Sequence, residues 1–267
     1  MKLAFIGFGN MANALINGIL ASDKNILSDD LYIFHNKENF QYKLDRCKFI
    51  KSGEISQSKF DIIFLCTKPI DIKSAINENI KIFSDDQIIV SIAAGVSISA
   101  IKKIINKNIY VARAMPNLCA VINESITGVC MESNIELSKQ DLIKHIFKTV
   151  GHVKEIDENE MHLFTSIFGS GPAYIMYFVE SIIDSGDFEN ITAEEKSLLV
   201  LNLLNSTSKM LFLNEDIKKL RSKVTSKGGT TEAAIKIFKE NKLSETIKKA
   251  VSIPASGDEL EEENTYN

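Results

Sequence analysis

Two glycine-rich stretches near opposite ends of the chain carry residue types that hold anions through backbone rather than charge. The first, IGFGNMA, places Gly7, Gly9, Asn10, Met11 and Ala12 directly after an apolar run and before the helical run ALINGIL. In such a pattern the first glycine permits a tight turn and the second lets backbone approach a pyrophosphate. The small third residue lets helix and strand pack closely, and the helix N-terminus supplies positive potential. The second stretch, TSKGGTTEAAI over 225–235, sets two glycines and two threonines before another helical pattern, leaving N–H groups and hydroxyls to face a ligand.

The elements that must position these groups follow from the apolar periodicity. Residues 1–157 alternate short β-branched runs with helix-length segments: KLAFIG, LYIF, DIIFLC, QIIVSIAAG, IYVARAM and a weaker SITGVCM. That alternation predicts an α/β domain of Rossmann type, a doubly wound, mainly parallel sheet with crossover helices. From about Glu158 the strand signals stop, and an all-α domain is expected over 158–258. Its helices are predicted after Pro172, over 192–213, over 215–223 and after GGTT, with Thr192 as an N-cap and Pro172 in a first turn. The helix over 172–183 has few polar positions to turn to water, which predicts burial against another subunit and makes this a dimerisation domain. Residues 259–267 read as an acidic, solvated tail.

In an open α/β sheet, ligands bind outside the carboxyl ends of the strands. Those ends carry Thr67, Lys68 and Pro69 after DIIFLC, Ala93, Ala94 and Gly95 after QIIVSI, and Pro116 and Asn117 after IYVARAM. Small residues there let a nicotinamide ring lie close to backbone; Lys68 reads either as part of that site or as a surface lysine. After LYIF come His35, Asn36 and Lys37, where an NAD-selective fold would place an acid for the ribose hydroxyls. A polar, basic turn suits a 2′-phosphate, so NADPH is the expected cofactor, with NADH as the alternative. Asn36 and Lys37 are the expected contacts, against the plainer reading of ordinary loop residues.

Composition narrows the remaining classes. The 267 residues are 45% hydrophobic and carry a net charge of -4, which suits a globular protein and not a general nucleic-acid binder. Four cysteines lie far apart with no CxxC pair, so neither a zinc site nor a disulfide framework is expected, and a reducing cytoplasm fits best. The N-terminus lacks an export-signal pattern. The apolar stretch over 163–183 has the length of a membrane span, but GSGP at its centre would break one, so no membrane role is expected.

Three further segments resist a purely structural reading: RAMPN at 113–117, GSGPAY at 169–174 and SKGGTT at 226–231. Together with FIGFGNMA, TKP and SIAAG, in this order, they resemble the pyrroline-5-carboxylate reductase family over the chain up to about residue 252. The resemblance implies reduction of 1-pyrroline-5-carboxylate, a cyclic imine bearing a carboxylate, to L-proline, the last step of proline biosynthesis. It implies that the GGTT loop binds the substrate carboxylate, through Ser226, Gly228, Gly229, Thr230 and Thr231. It also implies helices interlocked into a homodimer, with dimers able to assemble into rings. A protonated imine is already electrophilic, so a strong protein acid is unnecessary. Thr231, Thr165 and Lys68 are nominated at the reacting end, and the four histidines are assigned surface or packing roles.

The sequence departs from the family pattern at Lys227, where the loop usually has proline, at Phe168, where serine usually precedes GSGPAY, and at His162, where aspartate is common. Two other readings compete. A β-hydroxyacid dehydrogenase would carry a catalytic lysine on the first long helix of the second domain, and 163–183 contains none. A non-catalytic, nucleotide-binding regulatory protein would bind NADPH without turnover.

Overall fold

In the computed structural model the described residues are 2–21, 31–36, 44–54, 59–213 and 216–252. Those up to Ser170 form one compact unit and those from Gly171 onward form a second. Lys37 and the 259–267 tail lie outside the described residues.

The first unit is built on eight strands: β1 (Leu3–Ile6), β2 (Leu31–His35), β3 (Cys47–Lys51), β4 (Ile62–Leu65), β5 (Ile88–Ser91), β6 (Tyr110–Met115), β7 (Ser125–Met131) and β8 (Gly151–Glu155). Their order in the sheet is β3-β2-β1-β4-β5-β6-β7-β8. The strands β1 to β6 run parallel, β7 turns antiparallel to β6, and β8 follows β7 in parallel. All four residues of β1, of β4 and of β5 are buried, as inner strands covered on both faces by helices require. The sheet separates two apolar layers, one containing Leu15, Ile16 and Phe147, the other Ile76, Ile101 and Ile105.

The covering helices are α1 (Asn10–Ala21), α2 (Ile72–Glu78), α3 (Ile98–Ile105) and α4 (Leu137–Lys148). The sequence pattern missed β3 and β8 because both are edge strands. CKFIK and GHVKE are only partly buried and carry lysines, a composition that protects an open edge and hides the strand signal.

After β8 the chain enters α5 (Met161–Phe164) and a π-helical turn, Thr165–Gly169. The second unit is helical throughout: α6 (Gly171–Ile183), α7 (Ala193–Phe212), α8 (Ile217–Lys223), α9 (Thr230–Glu240) and α10 (Leu243–Ser252). Thr192 caps α7 in a capping box with Glu195, and α10 adds a helix beyond the one expected after GGTT. Among the described residues of this unit only Val179 is buried, while Tyr177 is 71% exposed and Phe212 90%. No described helix is long and apolar enough to cross a membrane.

Candidate active site

The glycine turn sits where the strand order reverses, since β1 has β2 on one side and β4 on the other. The Gly7 N–H donates to the Phe34 carbonyl at 2.9 Å, and the Cys66 N–H donates to the Ile6 carbonyl at 2.8 Å. Gly7 adopts φ +95°, and a Cβ there would fall 2.8 Å from Thr67 Cγ2 and 2.9 Å from the Cys66 carbonyl oxygen. A Cβ at Gly9 would meet nothing within 4 Å, so the backbone there faces open space. Ala12 is buried on the inner face of α1, the first turn of which holds no acid to offset its positive end. Asn10 borders a groove along α1, shared with Asn13, Asn17 and Val121, and Met11 packs partly against the core.

Beside this turn, the Thr67 hydroxyl is buried at the end of β4 with no hydrogen-bond partner. Lys68 is exposed, in extended conformation ahead of the short 3-10 turn that Pro69 opens. At the end of β5, Ala93 is buried, Ala94 half-buried and Gly95 exposed at φ +74°. A turn only glycine tolerates, open space at Gly9, an uncompensated helix N-terminus and an orphaned buried hydroxyl together fit a dinucleotide. Gly7, Gly9 and the start of α1 would hold the pyrophosphate, with Thr67 and the β5 end toward the nicotinamide.

The motifs RAMPN and GSGPAY meet at the end of β6. The Asn117 amide donates to the Phe168 carbonyl of the π turn at 2.9 Å, its Oδ1 accepts from the Cys119 N–H at 3.1 Å, and its own N–H donates to Ser125 Oγ at 3.0 Å. Asn117 is thus a buried clamp with both ends of its side chain engaged, next to Pro116. The Thr165 hydroxyl donates to the Met161 carbonyl at 2.7 Å, leaving its oxygen lone pairs to accept. The Phe168 ring lies 4.7 Å from that of Phe164, which gives the departure from serine a packing role.

Sequence reasoning left Arg113 without an assignment. It is buried in β6 and pairs with Glu158 Oε1 at 3.0 Å, and the same oxygen accepts the Ile98 N–H at 2.8 Å. One carboxylate therefore ties β6 to the start of α3, a long-range contact that no local spacing announces. Burial, and next the Glu158 charge, push the Cys130 thiol up to about 11, and burial alone raises Cys66 further. Neither offers a thiolate at neutral pH.

In the second unit, the expectation of free glycine N–H groups in the 226–231 loop needs correction. The Gly229 N–H donates to the Ser226 carbonyl at 3.1 Å, and the Gly228 N–H donates to Glu232 Oε2 at 2.7 Å. Closing the turn consumes both donors, so the open N–H groups are those of the first turn of α9, at Thr230, Thr231 and Glu232. Gly228 sits at φ +76° in the third position of that turn, with Lys227 in the second. The turn forms without the proline, since Gly228 supplies the positive φ it requires. Thr231 is half-buried and Thr230 exposed. Asn36, directly after β2, donates to Glu78 at the end of α2.

Comparison with known proteins decides the family. A reductase of Staphylococcus epidermidis named pyrroline-5-carboxylate reductase is 34% identical over 242 residues, covering 88% of each chain. The chain belongs to the pyrroline-5-carboxylate reductase family. The Staphylococcus aureus enzyme of the same name is 33% identical over 247 residues and 88% of each chain. The NADP-bound pyrroline carboxylate reductase of Plasmodium falciparum superposes with TM-score 0.81 at 26% identity, over 94% of each chain. Residues 158–256 match the family described as pyrroline-5-carboxylate reductase dimerisation, and residues 2–95 match NADP oxidoreductase, coenzyme F420-dependent. The family's nucleotide half thus coincides with the glycine turn, and its dimerisation half with the exposed apolar helices.

Substituting Gly7→Ala tests the turn. The left-handed backbone and the overlap with β4 should cost more than about 1–2 kcal/mol in thermal or denaturant unfolding, and dinucleotide binding by calorimetry should be lost. Unchanged binding would remove this turn from the site.

Proposed function

We propose that the protein reduces 1-pyrroline-5-carboxylate to L-proline, with NADPH as preferred reductant and NADH accepted. The observation that carries the reading is family membership over nearly nine-tenths of the chain, joined to a glycine turn and orphaned Thr67 hydroxyl suited to a nicotinamide dinucleotide. Preference for NADPH rests on Asn36 and Lys37 and on the NADP bound to the Plasmodium relative. Residues 1–157 would bind the nucleotide and 158–258 the substrate, in a cytoplasmic enzyme.

The bound reduced nicotinamide supplies the hydride. The protein's task is to hold the imine carbon within about 3.5 Å of the donor and exclude water, and the protonated imine needs no strong acid. Open N–H groups at the start of α9, with the Thr231 hydroxyl and nearby Ser226, would grip the substrate carboxylate, where helix potential favours an anion. Gly228 and Gly229 would shape that grip through the turn they close rather than through their own N–H groups. The Thr165 oxygen can accept from the iminium N–H, and Lys68 adds a cation beside the nucleotide crevice. Ala93, Ala94, Gly95, Pro116 and the clamped Asn117 would form the wall of the nicotinamide pocket.

A second copy of the chain is the expected cover for the helical unit. The faces of α6 and α7, which carry Ile175, Tyr177, Leu198 and Leu203, are too apolar and too large to leave in water.

Three measurements test these readings. Purified protein with the imine should consume NADPH, seen as loss of its near-ultraviolet absorbance, faster than NADH; binding of NADPH without turnover would point to the regulatory alternative. Thr231→Ala should raise KM for the imine by the loss of a charge-assisted hydrogen bond, about 1.5–3 kcal/mol, with cofactor affinity unchanged; an unchanged KM would take Thr231 out of the site. Leu203→Glu should lower the mass seen by light scattering below that of the wild type, and an undiminished mass would exclude this face from the interface.

A further inference from the structure

The end of β2 carries His35 and Asn36, and neither is an acid. In dinucleotide-binding folds this is the place from which a carboxylate reaches the adenosine ribose hydroxyls. The structure supplies one from elsewhere in the chain. Glu78, the last residue of α2, accepts a hydrogen bond from the Asn36 amide, so its carboxylate stands at the tip of β2 although 42 residues separate the two.

The backbone that carries that carboxylate is firmly placed. The next residue, Asn79, is 2% exposed; its amide nitrogen donates to the Ala75 carbonyl at 2.9 Å, and its Oδ1 accepts the Gly53 N–H at 3.3 Å. The Ser52 N–H donates to the His35 carbonyl at 3.0 Å, so the turn after β3 joins the tip of β2 to the end of α2. Gly53 is at φ +84°, and a Cβ there would lie 3.4 Å from the Glu78 carbonyl oxygen, which keeps this approach tight. The position is poor for a helix, because the carbonyl end of α2 disfavours an anion, and no basic residue occupies its last turn. Glu78 is itself exposed, so burial gives no reason for its placement. A charge held where helix electrostatics oppose it, beside a ligand crevice, suggests a role toward the ligand.

We propose that Glu78 is the cofactor-selectivity residue. Its carboxylate accepts from the ribose hydroxyls of NADH, standing in for the acid that β2 lacks, and it repels the 2′-phosphate of NADPH. This inference rests on the nicotinamide-dinucleotide reading of the glycine turn and makes Glu78 the reason NADH remains usable. Asn36 then has two functions: it contacts the nucleotide and it orients the carboxylate that limits the preference for NADPH.

The test is equilibrium binding of NADPH and NADH, and of the fragments 2′,5′-ADP and 5′-AMP, to the full-length wild type, Glu78→Gln and Glu78→Ala. Removing one like charge near the 2′-phosphate should raise the affinity ratio of NADPH over NADH roughly five- to tenfold. Both variants should show it, and the two fragments should reproduce it. Equal changes for both dinucleotides, or none, would overturn the proposal and leave Glu78 as a brace for Asn36. A raised ratio in Ala but not in Gln would also overturn it, because charge is absent from both. Binding needs no imine, so failure of imine reduction would leave this result standing. Wild-type protein that bound neither dinucleotide would sink the nucleotide reading itself.

Discussion

A missing side chain at Gly7 is the constraint on which the nucleotide end of the sheet depends. The turn from β1 into α1 passes so close to the end of β4 that any Cβ would overlap the Cys66 carbonyl and the Thr67 methyl. That closeness lets the Gly7 N–H reach β2 and the Cys66 N–H reach β1, so three strand ends are joined at the reversal point of the sheet. The same packing sets Thr67, whose hydroxyl is unpartnered, against Gly7, two residues before the open backbone of Gly9. Widening this turn to admit a side chain would separate the groups suited to hold a dinucleotide.

A second set of contacts fixes the other wall of the first unit. Glu158 joins the buried Arg113 to the start of α3, and Asn117 joins the end of β6 to the π turn before α6. A π turn is a local irregularity frequently found at functional sites. Here it presents the Phe168 carbonyl to the Asn117 amide and carries Thr165 at its first position. These polar clamps give both ends of the RAMPN motif, Arg113 and Asn117, a positioning role within the first unit.

The parts legible in the sequence were those with local physical signatures. Apolar runs disclosed the inner strands because both of their faces are covered, and GFGNMA disclosed the turn because its glycine spacing has a steric cause. Thr192 announced α7 through capping. Edge strands CKFIK and GHVKE escaped notice because half of each faces water. Long-range partners could not be read at all: nothing near Asn36 indicates that Glu78 will meet it, and nothing near Arg113 indicates Glu158. In the loop over 226–231 the glycines were legible as a turn, but their N–H groups are consumed by Ser226 and Glu232, a partnership that only the folded geometry reveals.

The central claim is that hydride passes from the nicotinamide to the imine carbon of a carboxylate-bearing ring. Incubating the purified protein with NADPH deuterated at the transferable C4 position, and analysing the proline formed by mass spectrometry, tests that transfer directly. The account predicts one deuterium at C5 of L-proline for each NADPH oxidised. NADPH oxidation with no label in proline, or no proline at all, would contradict it.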